Sequence, residues 1–140
     1  SWINHLVCCH AAPTGWDRTG FLICKDSTVR FDWLPGSQRI LEDLLELFRE
    51  GLMQPIHFFP DASFEYAEHV LKKTVSRHAA LNKAERKWRG SQFAGYARGE
   101  PDDSYYDLCF RHSEPLDEVF EDIAVRVFSP LLAHCREITI

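Results

Sequence analysis

Apolar residues recur at intervals of three and four along the first third of the chain. Leu41, Leu44, Leu45, Phe48 and Leu52 share one helical face, which predicts an amphipathic helix that buries that face. Ser37 is a good N-cap for it, and Gly51 reads as its left-handed terminal residue. Pro55 and Pro60 hold the next stretch, Ile56-His57-Phe58-Phe59, extended. So many apolar rings in one short loop predict a structural corner tucked beneath the domain.

Upstream, residues 2–9 read as a helix with Trp2, Leu6 and Cys9 on one side, broken at Pro13-Thr14-Gly15. Two short β-like runs, Phe21–Cys24 and Val29–Trp33, predict a hairpin turning through Lys25-Asp26-Ser27. Phe31 and Trp33 should share one face of it, with Arg30 and Asp32 on the other. After the corner, Asp61 or Ser63 should cap a second helix with Phe64, Ala67, Val70, Leu71 and Val75 as its buried stripe. Asn82 is the expected cap of a third helix ending at Gly90. Residues 91–103 read as an irregular loop and 104–110 as a short helical segment. From Pro115 a long helix carries Leu116, Val119, Phe120, Ile123, Val127 and Leu131, with a kink expected near Ser129 from Pro130. The fold class is therefore α/β, or α+β within these residues: a β-hairpin or sheet edge packed by several helices, expected as one domain over residues 1–140.

Composition changes this picture little. Hydrophobic residues at 45% and aromatics at 13% are globular values, and no apolar run nears the roughly 20 residues of a membrane span. Five cysteines without a CxxC pattern fit reduced thiols in a cytoplasmic protein. The cluster His5, Cys8, Cys9 and His10 lacks zinc-like spacing, since adjacent residues diverge on a helix.

Charge is more informative in its distribution than in its total. The net charge of −5 argues against a protein that coats nucleic acid by itself. From residue 72 to residue 89, however, seven basic residues (Lys72, Lys73, Arg77, Lys83, Arg86, Lys87 and Arg89) face Glu85 alone. From Glu100 to Asp122, nine acidic residues face Arg111 alone. The basic stretch is the candidate DNA-contacting surface, with Trp88 as a stacking or packing ring. Solvated charge is the plainer alternative.

Four separated stretches carry a resemblance: LLELFREGLMQPIHFFPDAS, a Trp-Arg-Gly, GEPDDSYYDLCFR and EPLDEVFEDIAVRVFSPLL. Together they resemble the C-terminal region of the RecC family, the gamma subunits of bacterial exodeoxyribonuclease V, the RecBCD helicase–nuclease. The resemblance implies a PD-(D/E)xK nuclease-like domain that does not cut, here a C-terminal fragment of a longer subunit. The first residue, Ser1, fits a chain cut from a longer one, with any strands holding catalytic carboxylates before it. The resemblance further implies RecB-like and RecD-like helicase subunits as partners, duplex or forked DNA in the complex, and a role in double-strand break repair and recombination. ATP and Mg²⁺ would belong to the partner subunits, so no cofactor is expected here. The expected partner interface comprises Phe93, Tyr96, Glu100, Tyr105 and Tyr106.

A nuclease alternative has to be weighed beside this. Pro60-Asp61 followed by Glu85-x-Lys87 satisfies the bare motif. The chemistry needs those groups to converge on Mg²⁺ from neighbouring strands. Both stretches read as helix, so the match is expected to be coincidental. A stand-alone DNA-binding module is the other alternative. No nucleophile elbow and no glycine-rich phosphate loop occurs.

Overall fold

The computed structural model describes residues 1–73, 75–90, 99–100 and 103–138. In chain order the elements are α1 (Trp2–Ala11), β1 (Gly20–Ile23), β2 (Thr28–Phe31), α2 (Ser37–Met53), α3 (Pro60–Leu71), α4 (Arg77–Arg89), α5 (Ser104–Phe110), α6 (Glu118–His134) and β3 (Cys135–Ile138). Six helices and a three-stranded sheet among the described residues make an α+β fold. The chain divides into two compact units, residues 1–54 with 130–140, and residues 55–129.

The first unit is built on the sheet, whose order is β1-β2-β3 with both pairs antiparallel. The hairpin forms as the sequence predicts, closed by Cys24 N–H donating to the Ser27 carbonyl at 2.9 Å. β3 has no counterpart in the sequence reading. It follows α6 without a loop, and Asp32 N–H donates to the His134 carbonyl at 2.9 Å where the two meet.

Register decides which side chains share a face. Gly20 pairs with Phe31 and Phe31 with Cys135, and Leu22 pairs with Val29 and Val29 with Glu137. On that side α1 covers the sheet: Trp2 and His5 pack on Phe31, with ring centroids 5.8 and 5.3 Å away. His5 Nε2 donates to the Asp32 carbonyl at 3.0 Å and lies 3.4 Å from Cys9 Sγ. Gly20 is the residue that permits this approach, since a Cβ there would come within 2.7 Å of His5 Nδ1. Leu6 and Cys9 then pack with Leu34, flanked by Trp2, Ile40, Leu41 and Leu44.

Several local expectations are corrected. The N-cap of α2 is Gly36, in the left-handed region at φ 86°, and Ser37 is the first helical residue, buried. Gly51 lies inside the helix, which runs on to Met53. It stops there because Pro55 forces its predecessor out of the helical region, and Gln54 is extended at φ −154° and ψ 153°. The buried side of α2 is Ile40, Leu41, Leu44 and Leu47, whereas Leu45, Phe48 and Leu52 face solvent. Trp33 lies beyond β2 and is exposed, with the Arg18 guanidinium 5.9 Å from its ring, while Phe31 is buried.

The second unit forms around the aromatic corner. Phe59 is fully buried among Trp88 (4.3 Å), Phe110 (5.1 Å), Tyr106 (5.4 Å) and Phe120 (6.1 Å), so the corner is core. Phe58 and Phe64 both pack on Phe128. Phe59 is the N-cap of α3, and its N–H donates to Ser63 Oγ at 3.2 Å. Ala62, Ser63, Tyr66 and Ala67 are the fully buried residues of α3, whereas Phe64 is exposed. Ser76, not Asn82, caps α4, accepting from Ala79 N–H at 3.3 Å, and Gly90 ends that helix at φ 70°. Helix α6 starts at Glu118 with Val119 exposed, and Asp117 Oδ1 accepts from Phe120 N–H at 3.0 Å. α6 continues through Pro130, from which its last turn and β3 belong to the first unit.

The two glycines give opposite expectations. Gly51→Ala should raise stability by about 0.5–1 kcal/mol, as alanine does at an exposed helical position. Gly20→Ala should cost about 1–3 kcal/mol through its clash with His5. Urea unfolding of both variants checks this, and a destabilising Gly51→Ala would mean that the helix ends before Met53.

Candidate functional site

The basic stretch is far less free than its composition suggests, because its own Glu85 and carboxylates from outside it meet its cations. Lys72 Nζ lies 2.8 Å from Glu68, Arg89 Nη2 lies 2.5 Å from Glu85, and Lys87 Nζ lies 4.0 Å from Glu65. Lys83 Nζ stands 3.1 Å from His69 Nε2, which itself lies 3.1 Å from Glu65. Arg77 donates to both oxygens of Glu121, from Nε at 2.6 Å and from Nη2 at 2.9 Å. Of the seven, Lys73, Lys83 and Arg86 have no carboxylate at ion-pair distance among the described residues, Lys83 being held by His69 instead. Trp88 is half-buried against Phe59 and Tyr106, so its ring serves packing.

Glu121 is the electrostatic centre of the second unit. It is buried on α6, receives the Arg77 fork from α4, and accepts the Tyr66 hydroxyl from α3. Burial alone pushes its carboxyl up, but the hydrogen bonds from Arg77 and Tyr66 outweigh it and hold it below the usual carboxylate range. Tyr66 is pushed up to about 12 by burial and by the adjacent carboxylate. Asp117 behaves similarly: burial raises it, while Phe120 N–H and His57 more than compensate, leaving it lowered. His57 Nδ1 donates to Asp117 at 2.8 Å, and its ring meets Phe110 edge-on.

The expected partner interface splits. Phe93 and Tyr96 lie outside the described residues. Glu100 faces inward to the start of α3, where its carboxylate accepts Asp61 N–H at 3.0 Å and Ala62 N–H at 3.2 Å. Burial raises its pKa despite those bonds. Tyr106 packs in the core, and Tyr105 is exposed. A cleft of about 580 Å³ here is lined by Asp61, Glu100, Asp103 and Tyr105.

The nuclease triplet does not converge on a sheet. Asp61 lies in the first turn of α3, while Glu85 and Lys87 lie on α4, bound to Arg89 and Glu65. Among the described residues no group of three His, Cys, Asp or Glu is placed to hold a metal. In the first unit, a cleft of about 580 Å³ is lined by Asn4, His5, Cys8, Phe21 and Phe31. No helix among the described residues is long and apolar enough to cross a membrane.

What the sequence reading missed is the far side of the sheet. Phe21 pairs with Arg30 and Arg30 with Arg136, and Ile23 pairs with Thr28 and Thr28 with Ile138. Two arginines thus stand side by side between apolar residues, an arrangement visible only once β3 is paired.

The fold and these surfaces describe an α+β domain whose charged groups mostly serve internal contacts. A family profile described as the RecC C-terminal domain matches residues 1–71, and the chain belongs to this family. That places it among the RecBCD-related proteins of DNA repair and recombination. No curated protein and no solved structure matches the chain. The matched stretch contains α1, β1, β2, α2 and α3, and α4 to α6 lie beyond it.

Because Glu121 is lowered on folding, its network stabilises the fold above the ordinary carboxylate range and is lost as pH falls through the lowered value. Glu121→Gln should lower the melting temperature by several degrees at neutral pH. The gap to the parent should close as the solution is acidified below the ordinary carboxylate range and Glu121 takes up its proton. A gap independent of pH, measured by circular dichroism, would show that the charge on Glu121 is immaterial.

Proposed function

We propose that this chain is the non-catalytic, nuclease-like C-terminal domain of a RecC-like subunit, serving assembly of a RecBCD-like helicase–nuclease and the handling of its DNA. The observation that carries this reading is the match to the RecC C-terminal domain over residues 1–71. Within that stretch, exposed apolar side chains collect on α2 (Leu45, Phe48, Leu52 and Met53) and on β1, features of a surface made to meet protein. RecB-like and RecD-like subunits are the partners, the RecD-like one docking on this region. ATP and Mg²⁺ chemistry belongs to those subunits, and the assembly acts in the cytoplasm. Support for a non-catalytic role comes from Asp61, which lies on α3, and from Glu85 and Lys87, which lie on α4 and pair with Arg89 and Glu65.

DNA contact draws on Lys73 and Arg86, exposed cations of the basic stretch without an ion-pair partner, aided by exposed Lys72, Lys87 and Arg89. Arg77 contributes to the fold through Glu121 instead.

Co-purification with the RecB-like and RecD-like subunits tests assembly, and retention of the RecD-like subunit is the expected result. Retention of neither subunit would contradict it. In the assembled complex, Lys73→Glu with Arg86→Glu should weaken forked-duplex binding and reduce the salt slope by about 2, one for each phosphate contact removed. An unchanged slope would remove these residues from the DNA contact.

A further inference from the structure

The sheet has one face covered by α1 and one largely open face that carries two rows of side chains, all reaching solvent except Thr28, which is buried. The first row runs Phe21, Arg30, Arg136 across the three strands, and the second runs Ile23, Thr28, Ile138. Phe21 is 61% exposed, Ile23 78% and Ile138 38%, far above what a monomer's interior-type residues usually show in one patch. Both edge strands contribute to this patch, and all of it lies within the first unit.

Beside the apolar residues sits a pair of like charges. Arg30 and Arg136 are direct cross-strand neighbours, with Cβ atoms about 5 Å apart by the geometry of such pairs, and like charges so placed destabilise a sheet. One carboxylate serves both. Asp32 Oδ1 lies 3.1 Å from Arg30 Nε, and its Oδ2 lies 3.3 Å from Arg136 Nε. The remaining guanidinium nitrogens have no hydrogen-bond or ion-pair partner among the described residues, although the Asp17 carboxylate also acts electrostatically on Arg30. The arginine side chains are 48% and 75% exposed.

We infer that this face docks an acidic, apolar segment of a partner subunit, with a partner carboxylate completing the arginine pair and apolar side chains covering Phe21, Ile23 and Ile138. This rests on the assembly reading above. A carboxylate matches the guanidinium fork, and the surrounding apolar groups would exclude water and strengthen the bond. Nucleic acid fits less well, because the Asp32 carboxylate already sits against both arginines and would repel a phosphate. A second copy of the chain would bring two more arginines to a site that already holds an excess of them.

The test uses the chain with the RecB-like and RecD-like subunits, and a fluorescein-labelled oligo-dT as the nucleic-acid probe. Arg30→Glu with Arg136→Glu should reduce subunit retention by about tenfold or more, as loss of a close interfacial charge pair does. Arg136→Gln should also weaken retention while leaving the melting temperature of the isolated chain unchanged or raised. It removes the like-charge contact and leaves Asp32 paired with Arg30. Retention by the parent and by all variants alike would overturn the proposal and leave the assembly reading standing. No retention even by the parent would overturn both. Oligo-dT binding that disappears in Arg136→Gln would make nucleic acid the occupant, and a concentration-dependent dimer abolished by these substitutions would make it a second copy; either result overturns the proposal.

Discussion

The register of β2 between its two neighbours is the constraint on which the first unit depends. Side chains alternate across a strand, so a slip of one residue would exchange the two faces. The register is held where α1 meets the sheet: His5 stacks on Phe31, bonds the Asp32 carbonyl, and passes over a position where only glycine leaves room. With Phe31 fixed inward, Arg30 must point outward, and Phe21 and Arg136 go with it. The same interaction that builds the small core therefore sets out the surface that the chain offers to a partner.

The second unit uses a different device. Phe59 gathers four aromatic rings, and Glu121 ties three helices through Tyr66 and Arg77. A buried carboxylate with a forked guanidinium and a phenol is well satisfied, and losing Arg77 would leave the Glu121 charge buried with Tyr66 alone. This is why so much of the basic stretch is occupied internally. Lys72, Arg77, Lys87 and Arg89, which look like part of a nucleic-acid surface in a linear count, are the counter-charges of Glu68, Glu121, Glu65 and Glu85.

Helical elements and the hairpin were legible in the sequence because their signals are local. Period, turn residues and the aromatic corner sufficed to place α1, the β1–β2 hairpin, α3 and α6 within a few residues. The failures arose where distant residues decide. Gly51 looked like a helix terminus, but the exclusion imposed by Pro55 acts on Gln54 and lets the helix run on. Asp61 and Ser63 looked like caps, whereas the free N–H groups of Asp61 and Ala62 are met by Glu100, about forty residues away. β3 is four residues long and follows a helix directly, so its period-two signal was too short to separate from the apolar end of α6. Without β3 the Arg30–Arg136 pair could not be foreseen. The family was legible from separated stretches, which lie partly beyond the matched residues 1–71.

Hydroxyl-radical footprinting of the chain, alone and in the assembled complex, tests most directly the claim that one face of the sheet is internal and the other belongs to a partner. Phe21, Ile23 and Ile138 should label readily in the isolated chain and become protected on assembly, while Phe31 and Leu6 stay protected in both. Unchanged labelling of Phe21 and Ile23 in an assembled complex would contradict the account, because the open face would then be open in the working machine as well.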